Sequence, residues 1–220
     1  MKTIAIIPAR GGSKRLPGKN LILLGGLPLI AHSILYAKAN SNCIDAVFVS
    51  TDDSEIKKIA LEYGAEVIDR PAHLAGDHEP TVTALKHVLE SLGTSPETII
   101  LLQPTNPLRP EKLLQQAFEL YEKENCESLF TVTRSHHKLG KIESNRFVPF
   151  NYKPGQRSQD LEPLYYENGL LYICKSDLIL EETIISENAY PLVVEHAFVE
   201  VDIDTAEDFD FAEYLYQKNK

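Results

Sequence analysis

Short apolar runs alternate along the first half of the chain with longer stretches whose apolar positions recur every three or four residues. The runs at Thr3 to Ile7, Ala46 to Ser50 and Thr98 to Leu102 are partly β-branched, the pattern of strands buried on both faces of a parallel sheet. Between them, Pro28 to Ala39, Asp53 to Tyr63, Thr81 to Leu92 and Pro110 to Glu124 carry helical periodicity. Pro28 and Pro110 suit first turns, and Gly64 and Gly93 suit helix stops. Strand and helix in alternation predict an α/β fold. Beyond about residue 134 the pattern loosens, and Arg134 to Tyr166 reads as an excursion from the sheet. Gly169 to Cys174 is expected to return as a strand, Phe198 to Ile203 to add another, and a last helix to start near Ala206. With no repeat or flexible linker, residues 1–220 are expected to form one domain carrying an inserted arm at about 134–166.

Charge changes this picture at one place. The chain has 32 Asp+Glu against 22 Lys+Arg, a formal net charge of −10, which argues against general nucleic-acid binding. Against that background, the segment I-A-I-I-P-A-R-G-G-S-K-R-L-P-G-K-N at residues 4–20 gathers Arg10, Lys14, Arg15 and Lys19 with no acid among them. An apolar strand opening into a cationic loop is a place to hold phosphates. Gly11 and Gly12 let the backbone approach an anion closely. The spacing fits neither a Walker A loop nor G-x-G-x-x-G, so composition leaves the type of phosphate loop open. Three well-separated cysteines, Cys43, Cys126 and Cys174, fit reduced thiols and a cytoplasmic setting. No apolar run approaches the ~20 residues of a membrane span. Met1-Lys2-Thr3 leads into a run shorter than the apolar core of a secretory signal, so no signal peptide is expected.

Candidate chemistry sits at the ends of the expected strands. In V-D-I-D-T-A-E-D, Asp202 and Asp204 alternate at a strand end, so both face one side and can share a cation, with Mg²⁺ suggested by the two carboxylates. Thr205 and Asp208 form a capping box for the last helix. Gln103 and Thr105 stand where open α/β sheets bind ligands, at a strand's carboxyl end. For Ser50-Thr51-Asp52-Asp53, helix capping is the expected role. There is no H-x-x-x-H, H-E-x-x-H or G-x-S-x-G, so zinc and covalent nucleophilic catalysis are not expected, and direct displacement at phosphorus is.

The segments A-R-G-G-S-K-R-L-P-G-K-N, S-T-D-D, R-P-A-H-L-A-G-D, L-L-Q-P-T-N-P-L-R, Y-E-N-G-L-L-Y-I and D-I-D-T occur in that order. Together they resemble the acylneuraminate cytidylyltransferases, or CMP-sialic acid synthetases, across nearly the whole chain. The resemblance implies a Rossmann-like three-layer sandwich with a mostly parallel sheet, and a homodimer formed through the excursion. It implies the activation of a nine-carbon 2-keto-3-deoxy sugar acid of sialic type with CTP and Mg²⁺, giving the CMP-sugar and pyrophosphate. By the same resemblance, Arg10, Lys14 and Lys19 bind the triphosphate, with Ala9, Gly11 and Asn20 beside the nucleotide. Arg70 contacts the base, where a guanidinium donating to cytosine O2 and N3 would discriminate against uracil. Gln103 faces the sugar and ribose, Asn168 the substrate, and Asp202 and Asp204 the metal, with Asp202 or a metal-bound hydroxide accepting the proton. Lys141 and Arg157 reach the substrate carboxylate of a partner protomer, although Lys138 competes with Lys141 for that match. Two rival readings are a CMP-3-deoxy-manno-octulosonate synthetase, from which Lys14 and Asn20 depart, and a non-catalytic nucleotide-binding regulator. Among nonulosonic acids, pseudaminic acid is disfavoured, because its cytidylyltransferases tend to lack Q-P-T-x-P-L-R.

Overall fold

Ile4, Ala5, Ile6 and Ile7 are all fully buried. Successive side chains of an extended chain point to opposite faces, so the strand that carries them, β1 (Thr3–Pro8), must be covered on both. In a computed structural model of the chain, which describes residues 2–219, β1 lies inside a seven-stranded sheet. The other strands are β2 (Leu23–Leu24), β3 (Leu27–Pro28), β4 (Ala46–Thr51), β5 (Glu66–Asp69), β6 (Thr98–Leu101), β7 (Ser128–Ser135), β8 (Gly140–Glu143), β9 (Arg146–Pro149), β10 (Leu164–Lys175) and β11 (Tyr190–Val193). The helices are α1 (Leu29–Ala39), α2 (Ser54–Glu62), α3 (Thr81–Ser91), α4 (Leu113–Glu124), α5 (Ser176–Leu180) and α6 (Ala206–Lys218). The expectations that touch Met1, a leader included, and the domain limit at Lys220 lie outside the described residues.

The large sheet runs β11-β7-β10-β6-β1-β4-β5. Its pairs are parallel except those of β10, which is antiparallel to both β6 and β7. On one face, Ile34 of α1, Ile56 of α2 and Leu114 of α4 join Ala5, Ile7 and Val49 in a single core. On the other, Leu85 and Val88 of α3 and Ile179 of α5 join Ile4, Ile6 and Phe48. The result is the three-layer, mostly parallel α/β sandwich expected. A third cluster, Leu24, Leu29, Leu108, Val201, Ile203, Ala212 and Leu215, seats α6 beside the β2–β3 pair.

Several local expectations meet their physical cause. Asp53 caps α2, accepting from the Glu55 and Ile56 N–H groups at 2.8 and 2.9 Å. Thr205 and Asp208 form the capping box of α6. Gly64 leaves α2 with φ +79°, a left-handed turn that suits glycine. Gly93 makes no such turn, because Leu92 already ends α3 in an extended conformation. Pro110 precedes α4, whose N-cap is Lys112, and Pro28 is the N-cap of α1 and lies outside its first turn.

The expected strand at Phe198 to Ile203 is absent. Ala197–Glu200 form a 3₁₀ turn, and Val201 to Ile203 run extended without a sheet partner. The apolar alternation is nevertheless obeyed: Val201 and Ile203 are buried in the α6 cluster while Asp202 faces outward. Backbone groups there pair with the loop after β6, Ile203 N–H donating to Thr105 O at 2.8 Å and Val201 O accepting from Asn106 Nδ2 at 2.7 Å. In the excursion, β7 and β10 pair from Ser135 with Leu164 to Val132 with Glu167, so the returning strand begins at Leu164, before Gly169. The β8–β9 hairpin extends from them.

Arg109 locks the loop after β6 in place. It is 6% exposed, and desolvation pushes its guanidinium down to about 10. Nε donates to Leu170 O at 2.6 Å, Nη1 to Ser33 Oγ at 3.1 Å and Nη2 to Gln103 O at 2.8 Å, with the Tyr36 ring alongside. Arg109→Met strands Leu170 O, while Gln103 O keeps the Asn106 N–H as donor, and is expected to destabilise the protein by about 2 kcal/mol in urea unfolding. A midpoint unchanged from the parent would contradict this.

Candidate active site

The loop between β1 and the 3₁₀ turn Lys19–Leu21 is held open by backbone demands that its sequence meets. Ala9, 1% exposed, extends the strand pairing through its N–H to Ser50 O at 2.9 Å. Gly11 N–H donates to Asp52 Oδ1 at 3.0 Å, and a Cβ at Gly11 would lie 2.6 Å from Asp53 Oδ2, so glycine is required. Asn20, buried, donates from Nδ2 to Arg10 O at 2.9 Å and ties the loop's end to its start. Within that frame, Arg10, Lys14, Arg15 and Lys19 line a cleft of about 560 Å³. Arg70, Thr81, Gln103, Thr105 and Asp204 complete its walls.

Two carboxylates hold these cations. Asp77 bridges Arg10, at 3.0 Å, and Lys14. Asp204 bridges Arg15 at 2.6 Å and Lys19 at 2.8 Å. The hydrogen bond from Lys14 is the main reason the Asp77 carboxyl sits below the usual carboxylate range. Lys19 is nearly buried and also donates to Ile203 O at 2.8 Å. Arg70 is 8% exposed and is pushed down to about 10, mainly by desolvation, with Asp52 opposing and Arg10 adding to the shift. Its Nε and Nη2 are spent on Ser50 Oγ and O, at 3.0 and 2.6 Å, which leaves Nη1 for a ligand.

A second cleft of about 670 Å³ shares Gln103 with the first. Its wall carries Glu167, Glu200 and Asp202 together with Tyr166 and Tyr172. Tyr166 donates to Glu200 Oε1 at 2.9 Å and Tyr172 to Glu167. Asp202 has its carboxyl raised, first by desolvation and then by repulsion from Asp204 and Asp208, against the lowering effects of Thr105 and Lys19. Asp202 and Asp204 thus face outward from the same segment but line adjoining clefts that meet at Gln103. Among the described residues no cluster of three or more His, Cys, Asp or Glu is arranged to hold a metal. The donor set still fits a hard cation: two carboxylates suffice for magnesium when water and phosphate oxygens complete the shell. Asp202 forms no ion pair among the described residues, although Thr105 and Lys19 stabilise its charged form.

Asn168 and Gly169 serve the sheet first. Gly169, φ +75°, sits in the bulge between Glu167 and Tyr172, and a Cβ there would lie 2.8 Å from Asn106 Oδ1. Asn168, 5% exposed, accepts from Thr131 Oγ1 at 2.6 Å and Leu170 N–H at 3.1 Å and donates to Thr133 Oγ1 at 2.9 Å. It also lines the second cleft. Lys141 and Arg157 are not brought to either cleft. Lys141 is exposed on β8, and Arg157 pairs with Asp160 through Nε at 2.7 Å and Nη2 at 3.0 Å. Lys138 lies 5.5 Å from the Tyr152 ring centroid. Site residues that the sequence reading left without a role are Asp77, Asn106 and Glu167, the acceptor of the Tyr172 hydroxyl. Asp77 ends the quoted segment R-P-A-H-L-A-G-D, and Asn106 stands within Q-P-T-N-P, so both lay inside legible motifs.

The profile of a family described as cytidylyltransferase matches residues 4–220. The pseudaminic acid cytidylyltransferase of Campylobacter jejuni subsp. jejuni is 36% identical over 228 residues, covering 100% of this chain and 98% of that protein. The CMP-N,N'-diacetyllegionaminic acid synthase of Legionella pneumophila is also 36% identical, over 231 residues, with the same coverage. The N-acylneuraminate cytidylyltransferase of Streptococcus agalactiae is 35% identical over 95% of this chain and 52% of its own length. These identities give no support to the ranking that disfavours pseudaminic acid. The solved structure of a CMP:2-keto-3-deoxy-manno-octonic acid synthetase complexed with CTP superposes over 100% of both chains with TM-score 0.75 and 18% identity, a likeness of fold. No helix among the described residues is long and apolar enough to cross a membrane.

Asn106, on the wall of the second cleft, ties that wall together by donating to Asn168 O at 3.2 Å and Val201 O at 2.7 Å. Asn106→Ala is expected to cost about 2 kcal/mol of stability, from orphaned carbonyls, and to speed hydrogen exchange at residues 201–204. Unchanged exchange there would contradict the assignment.

Proposed function

This chain belongs to the cytidylyltransferase family, and from that premise we propose that it joins CMP, taken from CTP, to a nonulosonic acid with release of pyrophosphate. The observation that carries the reading is the first cleft. Four cations of one loop and the Arg70 guanidinium converge there, at the carboxyl ends of β1, β5 and β6, in a chain of net charge −10. Asp77, Glu79 and Asp204 share the wall, so the five cations leave a formal positive excess that a triphosphate takes up, and the free Nη1 of Arg70 is the donor for cytosine acceptors.

In the reaction, the anomeric hydroxyl of the sugar acid attacks the α-phosphorus of CTP. A new P–O bond forms as the bond to the pyrophosphate bridging oxygen breaks. Arg10, Lys14, Arg15 and Lys19 stabilise the departing charge. Gln103, shared by both clefts, stands where nucleotide and sugar meet. The hydroxyl proton leaves toward the carboxylate wall of the second cleft, which carries Glu167, Glu200 and Asp202. Asp202 and Asp204 would hold a Mg²⁺ ion, which when bound supplies charge neutralisation on the phosphates.

A homodimer completes the account. The wall of the second cleft carries three acids and neither lysine nor arginine, yet the substrate is itself a carboxylate. The β8–β9 hairpin exposes Ile142 at 79% and Phe147 at 55%, an apolar surface suited to a second copy. Lys141 and Arg157 would then meet the substrate carboxylate in the partner's cleft. The free cysteines fit a reducing, cytoplasmic setting.

The test is pyrophosphate release from CTP and Mg²⁺ with N-acetylneuraminic, legionaminic and pseudaminic acids and 3-deoxy-manno-octulosonate. One nonulosonic acid is expected to react, with Asp204→Asn losing on the order of a hundredfold or more in kcat. No release with any acid would overturn the proposal. The pair Ile142→Asp and Phe147→Asp is expected to give a monomer by sedimentation with activity lost, and an active dimer would contradict the hairpin's role.

A further inference from the structure

Asp77 stands across the first cleft from the cationic loop, in the turn that follows the 3₁₀ segment Ala72–Leu74. Three acceptors from consecutive residues converge on one nitrogen of Arg10: Asp77 Oδ1 at 3.0 Å, Gly76 O at 2.7 Å and Ala75 O at 3.5 Å. All three take Nη1, and none takes Nε or Nη2. The other carboxylate oxygen, Oδ2, holds Lys14, whose side chain is 82% exposed and has no other ion-pair partner among the described residues. One carboxylate therefore fixes two cations, one through each oxygen.

A guanidinium recognises phosphate best through a pair of adjacent N–H donors presented in a fixed direction. Pinning Arg10 by Nη1 alone leaves the Nε–Nη2 edge as that pair. An exposed lysine left to itself samples many rotamers and loses that freedom when it binds an anion. Held on Asp77, Lys14 has already been confined to the cleft. An internal competitor for the phosphates would instead occupy the two-donor edge of Arg10.

Resting on the reading of this cleft as a triphosphate site, we propose that Asp77 is a positioning residue that pre-sets Arg10 and Lys14 for the phosphates of the nucleotide. It contacts no reacting atom. Its contribution is to phosphate affinity and carries no information about the base, which Arg70 reads from the other end of the same segment.

The experiment is calorimetric titration of the full chain with CTP, UTP and inorganic tripolyphosphate, for the parent, Asp77→Ala and Asp77→Asn. Asp77→Ala is expected to weaken CTP and tripolyphosphate by the same factor, on the order of tenfold, with the CTP-over-UTP ratio unchanged. Asp77→Asn is expected to recover part of the loss, because its Oδ1 accepts from Arg10 in the same place while its Nδ2 cannot hold Lys14. Thermal unfolding of both ligand-free variants should match the parent, which separates positioning from a folding defect. Equal or tighter tripolyphosphate binding by Asp77→Ala would overturn the proposal, the tighter result marking Asp77 as a competitor. A CTP-over-UTP ratio that collapses in Asp77→Ala would overturn it too, by tying Asp77 to the base. A parent that binds tripolyphosphate yet neither prefers CTP nor releases pyrophosphate would sink the cytidylyltransferase reading and leave the Asp77 comparison standing.

Discussion

Mutual repulsion among Arg10, Lys14, Arg15 and Lys19 is the constraint around which the site is organised. Four positive charges on one loop resist being gathered, and the protein gathers them by placing two carboxylates on other segments, Asp77 and Asp204, each bridging two cations. These exposed or half-exposed pairs add little to stability. What they do is fix where the charge points. Lys19 is the exception in burial, and its second bond to Ile203 O ties the loop to the segment that bears both outward aspartates. Cationic loop and acidic segment thus form one electrostatic unit although 184 residues separate Lys19 from Ile203.

The fold holds that unit with hydrogen bonds drawn from buried polar side chains. Arg109 spends its guanidinium on carbonyls and a hydroxyl, so the loop bearing Gln103 cannot drift from β10. Asn106 joins that loop to the bulge at Asn168 and to Val201. Asn168 in turn satisfies the strand groups that the bulge leaves unpaired. Polar residues in motif segments therefore divide into those that only line a cleft and those that hold its wall in place. Gln103 belongs to the first group, Asn106 and Arg109 to the second.

That division marks the limit of what the sequence made legible. Strands β1, β4 and β6 were readable because both faces are apolar, and α2 and α6 because Asp53 and the Thr205–Asp208 box announce them. The cationic loop was readable because it runs against the composition. Phe198 to Ile203 looked like a strand because its alternation is real, but the buried positions serve α6 and no ladder forms. Strand β10 was foreseen only from Gly169, since the bulge breaks its pattern and its outer half faces solvent. Asp77 went without a role because one acid among surface residues has no periodicity to betray it. Lys141 and Arg157 rest on resemblance, and they lie away from both clefts.

The central claim is that the cleft formed by the β1 loop binds a nucleotide through its phosphates. Calorimetric comparison of CTP, CDP and CMP at one fixed salt concentration tests it most directly. The account predicts that affinity falls stepwise as phosphates are removed, with CMP the weakest, and that the gap narrows as salt is raised because the contacts are ionic. Equal affinity for the three nucleotides, insensitive to salt, would contradict it and place recognition on the nucleoside alone.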